Sequence, residues 1–210
     1  MVVLSAPVVH ALAEASIPYN AANPAEHEHL VKVAMAVRSF SLGNDSAPMP
    51  AGEDHRIAIT PDAIHHLLDV RVVFVLSELA FLLLFAVLLI LIIVRVRRKG
   101  SGSMARALIV GGALPLAAAL LLGFATLIDF EAFFIWMHGI FFVSGSWTFP
   151  ADSLLIRALP YEFWVASAAV WAASMVVFCL ASIGIGIMLQ RRANKRQAAE
   201  SASAQTVASK

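Results

Sequence analysis

The 23 residues from Val72 to Val94 hold Glu78 as their only charge, and this run limits the chain more than any other feature. In a helix rising about 1.5 Å per residue it spans about 34 Å, enough for a hydrocarbon core of about 30 Å. Thr60 at the N-cap, Pro61 at the first helical position and Asp62 in the first turn open a helix that nothing interrupts before Val72. Arg95, Arg97, Arg98 and Lys99 end the run abruptly. Two more runs, residues 107–128 and 163–189, have the same character, and Pro115 in the first is tolerable where neighbours satisfy the freed backbone group. Composition agrees. Only 14% of the residues are charged, where a soluble domain carries about 25%.

The rest of the chain arranges itself around these runs. Residues 1–12 are apolar but too short to cross a bilayer, and read as a partial first span or an interfacial helix. Residues 13–71 are mixed and polar, with helical spacing at Leu30, Val33, Val37 and Phe40 and a turn-rich stretch near residues 41–55. They read as a small extracytoplasmic cap. Residues 95–106 form a short loop, 129–162 an aromatic outer loop, and 190–210 a tail whose Ala/Ser-rich end from Ala198 is expected to be disordered. The expected fold is an all-α integral membrane bundle of four spans, the first shortened or missing.

Charge sets the orientation. Residues 95–106 and the segment after Leu189 hold nine Lys and Arg close to span ends, which places both in the cytoplasm. Residues up to Arg71 and the 129–162 loop then lie outside, and all seven histidines fall on or near that outer side. The expected location is a bacterial plasma membrane with the active face extracytoplasmic.

The segment from Asp129 to Trp164 concentrates what chemistry the chain offers. Seven of thirteen Phe and three of four Trp fall there, as suits rings at the lipid–water boundary, and His138 sits among them. A second candidate is the start of the first long helix, where Asp69 follows His66 by three residues and His65 by four, so the carboxylate can lie beside either imidazole. A carboxylate beside a histidine fixes its tautomer and raises its basicity. A solvated helix end reads equally well from the same residues. Glu78, deeper in the span, is expected to face protein or a polar cavity rather than lipid. Residues 147–152, WTFPAD, read as a turn leading into a short helix with Asp152 at its start.

Other chemistries find little support. His27 and His29 lie two apart, off a common helical face, and no HxxxH or HExxH spacing points to a metal. The lone Cys179 within a span reads as a packing residue, and Gly184 and Gly186 as points of close helix approach. No GxSxG is present, and Ser144, Ser146 and Ser153 lack patterned neighbours. No nucleic-acid motif appears.

Two stretches together resemble a known family. The HLLDVR of His66–Arg71, and the longer MHGIFF…WTFPADSLLI…LPYEFW, are similar to integral membrane proteins whose characterised members are lipoprotein intramolecular transacylases, called Lit. The resemblance covers roughly residues 60–189. It implies four transmembrane helices, an outward-facing site, and movement of the sn-2 acyl chain of a diacylglyceryl-cysteine onto that cysteine's own α-amino group. The partners it implies are diacylglyceryl lipoproteins and membrane lipids, with no cofactor and no metal. By motif position His66 and His138 become the catalytic pair, with Asp69, Trp147 and Asp152 orienting them or binding substrate. Met137 stands where the family often has Phe, and His65 leaves the first motif's register open by one. The alternative reading is a non-enzymatic membrane binding or assembly protein, followed by a His-rich metal-binding or transport protein.

Overall fold

The computed structural model describes residues 5–44, 49–99, 101–143 and 145–208. Residues 1–4 of the N-terminal segment, 45–48 of the turn-rich stretch, Gly100 of the short loop, Ser144 of the aromatic stretch and the last two residues of the tail lie outside them. Seven helices follow in order among the described residues: α1 (Ala6–Ser16), α2 (Pro24–Ser41), α3 (Pro61–Lys99), α4 (Ser101–Ile128), α5 (Phe130–Phe141), α6 (Leu154–Ala158) and α7 (Tyr161–Ala208). Three are long and apolar enough to cross a membrane, within Pro61–Val94, Met104–Ile128 and Tyr161–Thr206. The chain is an all-α membrane protein.

Local chemistry explains most boundaries. The Thr60 hydroxyl accepts from the Ala63 amide, and Pro61 supplies a preset φ and no orphan N–H at the start of α3. Asp129 caps α5 by accepting from Ala132 N, and Ser153 caps α6 by accepting from Ile156 N. The capping residue of α6 is thus the serine beside Asp152. These caps turn much of the aromatic stretch into two short helices. At the other end α7 runs on to Ala208, where the composition had suggested disorder. Its tail is rich in alanine and contains no glycine or proline after Gly186, so helix propensity carries it forward.

The chain divides into two compact units, Met1–Phe81 with Ala125–Trp171, and Leu82–Phe124 with Ala172–Lys210. In the first, α1 lays Val9 and Ala13 against α2, whose buried face is Leu30, Val31, Val33, Ala34, Ala36 and Val37. Ile59, Ala63 and Leu67 extend this core, and Leu154, Leu155, Ala158 and Phe163 close it. Ile59 is fully buried because the 50–59 loop folds around it: its amide donates to Pro50 O at 2.6 Å and its carbonyl accepts from Gly52 N at 3.2 Å.

Polar clasps hold the surface of this unit. Arg157 pairs with Glu26, joining α6 to α2. Arg71 Nε donates to Phe40 O at 3.0 Å and its guanidinium lies 4.9 Å from the Phe40 ring, so a cation sits on carbonyls at the C-terminal end of α2. Along α3, residues 75–81 are exposed on every face, and Glu78 is exposed with them. Among the described residues no neighbouring element covers that level of the helix, so Glu78 does not make the protein contact that is one of the two expectations for it.

The second unit packs differently. The Ser182 hydroxyl donates to Leu108 O at 3.0 Å, across from α7 to α4. A Cβ added at Gly112 would lie 2.8 Å from Cys179 O, and one at Gly186 would lie 2.8 Å from Ala105 O. Close backbone approach by small residues is how helices associate in lipid, where burial of apolar surface gives no advantage. Gly186 fills the role its spacing suggested, whereas Gly184 faces open space and Gly112 takes the second contact.

Candidate active site

Periodicity on α3 builds one wall of a cavity in the first unit. His66, Leu67, Val70 and Phe74 recur at helical spacing and line it, with Phe134 and His138 from α5. Phe163, Trp164 and Ser167 from the first turns of α7, and Val37, Arg38 and Ser41 from α2, complete the wall. The cavity holds about 170 Å³ and is almost wholly apolar. Its shape and lining suit an acyl chain more than a charged solute.

The two histidines meet at this wall although 72 positions separate them in the chain. Their ring centroids lie 6.3 Å apart at an interplanar angle of 30°. Both are buried. Phe142 packs on both rings, 4.8 Å from His66 and 5.4 Å from His138, and Phe149 adds a contact to His66 at 5.7 Å. Trp147 stacks 4.9 Å from His138 on one side and Phe134 3.8 Å on another.

His138 Nδ1 lies 2.9 Å from Phe134 O, one turn earlier on the same helix. A carbonyl only accepts, so Nδ1 carries the proton and Nε2 is the basic nitrogen of the neutral ring. Burial holds the His138 pKa below the ordinary imidazole value, and the bond to Phe134 only partly offsets that effect. The ring is therefore neutral at physiological pH and able to take a proton.

Three buried polar atoms around the histidines have no protein partner among the described residues: His66 Nδ1, Trp147 Nε1 and Ser167 Oγ. Leaving such an atom unpaired costs about 1–3 kcal/mol, and two of the three, His66 Nδ1 and Ser167 Oγ, belong to residues that line the cavity, where a ligand's polar group could satisfy them.

The two carboxylate candidates make no hydrogen bond to either histidine among the described residues, although the Asp69 charge is felt at His66. Asp69 is exposed on α3 and forms no hydrogen bond with His66 among the described residues. Asp152 sits at the surface, accepting from Arg56 Nε at 2.9 Å and lying 3.2 Å from His55 Nε2. Partial desolvation works against its charge, but the bonds and charges of His55 and Arg56 outweigh this and hold its carboxyl below the usual range. Asp152 fastens the 50–59 loop to the start of α6, where Leu154 N also donates to His55 O. His65 is exposed, so His66 is the motif histidine that lines the cavity. Among the described residues no three His, Cys, Asp or Glu side chains converge.

Sequence reasoning missed Phe134, Phe142, Phe149 and Ser167. The phenylalanines were visible only as members of an aromatic belt, and Ser167 carried no signal in a span of small residues.

Fold and site together define an integral membrane protein with two buried histidines on an apolar cavity. Family comparison makes this specific: the family described as lipoprotein intramolecular transacylase Lit matches residues 24–164, and the chain belongs to it. No curated protein and no solved structure matches the chain. Family membership assigns a transacylase-type role in lipoprotein modification.

Proposed function

We propose that this protein transfers the sn-2 acyl chain of a lipoprotein's diacylglyceryl-cysteine to the α-amino group of the same cysteine. The observation that carries the reading is the meeting of His66 and His138, from distant segments, on one apolar cavity. His138 Nε2 accepts a proton from the α-amine as its nitrogen attacks the ester carbonyl carbon. A C–N bond forms and the carbonyl oxygen takes the negative charge. The intermediate then collapses, the bond to the sn-2 glycerol oxygen breaks, and that oxygen takes the proton from His138. The products are an amide and a glycerol hydroxyl, with no water consumed.

His66 stabilises the oxyanion as a donor through a ring nitrogen. Trp147 holds the His138 ring in place, and Asp69 supplies a nearby negative charge on the helix that carries His66. Asp152 acts through the loop it fastens. Because nucleophile and ester belong to one molecule, the protein's main contribution is alignment. The site opens on the extracytoplasmic side of the plasma membrane, since His66 lies near one end of α3 and the cationic Arg95–Lys99 cluster at the other. On this reading the segments bordering the three long helices are an outer cap, a cytoplasmic loop, an aromatic outer segment and a cytoplasmic tail.

The test is mass spectrometry of a reporter lipoprotein's N-terminal peptide in a host unable to N-acylate lipoproteins. Expression of this chain is expected to produce the N-acyl, S-monoacylglyceryl form, and His66→Ala or His138→Ala to abolish it. An unchanged diacylglyceryl peptide, with the protein present in the membrane, would overturn the reading.

A further inference from the structure

Serines in apolar helices ordinarily return their hydroxyl to a backbone carbonyl, commonly that of residue i−4. Several helical serines of this protein do so. Ser41, which lines the same cavity, donates to Val37 O at 2.8 Å, and Ser182 donates to Leu108 O at 3.0 Å. Ser167 departs from this. It is 9% exposed, lines the cavity, and its Oγ has no hydrogen-bond partner among the described residues. A second orphaned polar atom on the cavity-lining residues is His66 Nδ1. The remaining wall is nearly all carbon, so a bound acyl ester has few polar groups available to it.

We propose that Ser167 contacts the substrate, donating its hydroxyl hydrogen to the ester carbonyl oxygen as that oxygen becomes an oxyanion. This rests on the transacylation reading above and deepens it. When the α-amine nitrogen bonds to the carbonyl carbon, the C=O π pair moves onto oxygen, and Ser167 Oγ–H and a His66 N–H donate to it. On collapse the pair returns, the glycerol C–O bond breaks, and the serine keeps its proton throughout. Two donors from different helices, α3 and α7, on the lining of one apolar cavity fix the carbonyl where each bond is strengthened by the low dielectric. Ser167 lies beyond the residues matched to the family, so that match does not speak to it.

The experiment uses the full chain in lipid nanodiscs with a synthetic diacylglyceryl-cysteinyl lipopeptide, measuring lyso-form product at several substrate concentrations. Wild type, Ser167→Ala, Ser167→Thr and His138→Gln are compared, with thermal unfolding of each. Ser167→Ala is expected to lower kcat about 100-fold, the lower end of what loss of one oxyanion donor costs, with KM changed less than about 3-fold. Its thermal midpoint should stay level or rise, because an unpaired buried hydroxyl is removed. Ser167→Thr should recover most of kcat. Wild-type kcat in Ser167→Ala, a rise in KM alone, or equal loss in Ala and Thr variants with lowered midpoints would each overturn the assignment. Wild type without product would overturn the transacylation reading and this one with it, whereas product from wild type and from Ser167→Ala alike would remove only the role of the serine.

Discussion

The two units of this molecule solve the packing problem in opposite ways. The first buries branched and aromatic side chains around Ile59 and Leu154 and fastens its surface with Arg157–Glu26 and Arg71–Phe40 contacts. The second has few buried side chains, and its helices meet where Gly112 and Gly186 let backbone touch backbone. One is built as though water drove it together, the other as though lipid surrounded it. Buried polar atoms without partners occur in the first unit among the described residues, so it is the core of the water-soluble kind that carries the candidate site.

Substitutions can break this comparison, and the largest effect is expected at the proposed base, His138. His138→Gln keeps similar volume but removes the proton acceptor, and should lower transacylation by about 100- to 10,000-fold with the fold intact. Lyso-form mass spectrometry beside circular dichroism checks both halves of that statement. Ile59→Ala, in the first unit, should destabilise by about 2–5 kcal/mol, as loss of a fully buried aliphatic side chain does. Denaturant titration in detergent would read it, and a smaller cost would mean that the first core is looser than its burial implies.

In the second unit Gly112→Ala should cost about 1–3 kcal/mol through overpacking against Cys179 O. Gly184→Ala, with open space around it, should be neutral or slightly stabilising, since alanine favours helix by about 1 kcal/mol. Equal behaviour of the two variants would remove the lipid-type packing described for α4 and α7. The smallest effect is a matter of pH. His138 has a folded pKa below its unfolded value of about 6.5, so the unfolded state binds the proton first as pH falls. Its contribution to stability is complete above about pH 6.5 and declines as pH falls from there through the folded pKa. The acidic limb of the activity profile should likewise lie below about pH 6.5 in wild type. A limb at or above that value would count against a buried base.

Much of this was legible in the residues because it depends on local rules. Span length, the Thr60–Pro61–Asp62 helix start and the basic run after Val94 each follow from a few adjacent positions. His138 stood out as a lone histidine in an aromatic belt, and His66 by its spacing to Asp69 and its place in the HLLDVR stretch. Ser167 and Gly112 did not, because serine and glycine are ordinary in a membrane helix, and only the neighbour across the gap shows which one matters. Asp69 and Asp152 illustrate the converse. Spacing suggested Asp69 and motif position Asp152, but neither can tell whether a carboxylate turns inward or, as with Asp152, toward His55 and Arg56 at the surface.

The bond from His138 to Phe134 O has a consequence for how the site tolerates change. In many histidine-based centres a separate carboxylate orients the ring, and losing that side chain disables the base. Here the orienting oxygen belongs to the main chain one turn away, which every residue type except those that break the helix would supply. Mutational scanning of position 134 should therefore accept most side chains that fit against the imidazole, while proline, by disrupting α5, should behave like loss of His138 itself. The proposed base carries its own orientation wherever the helix forms.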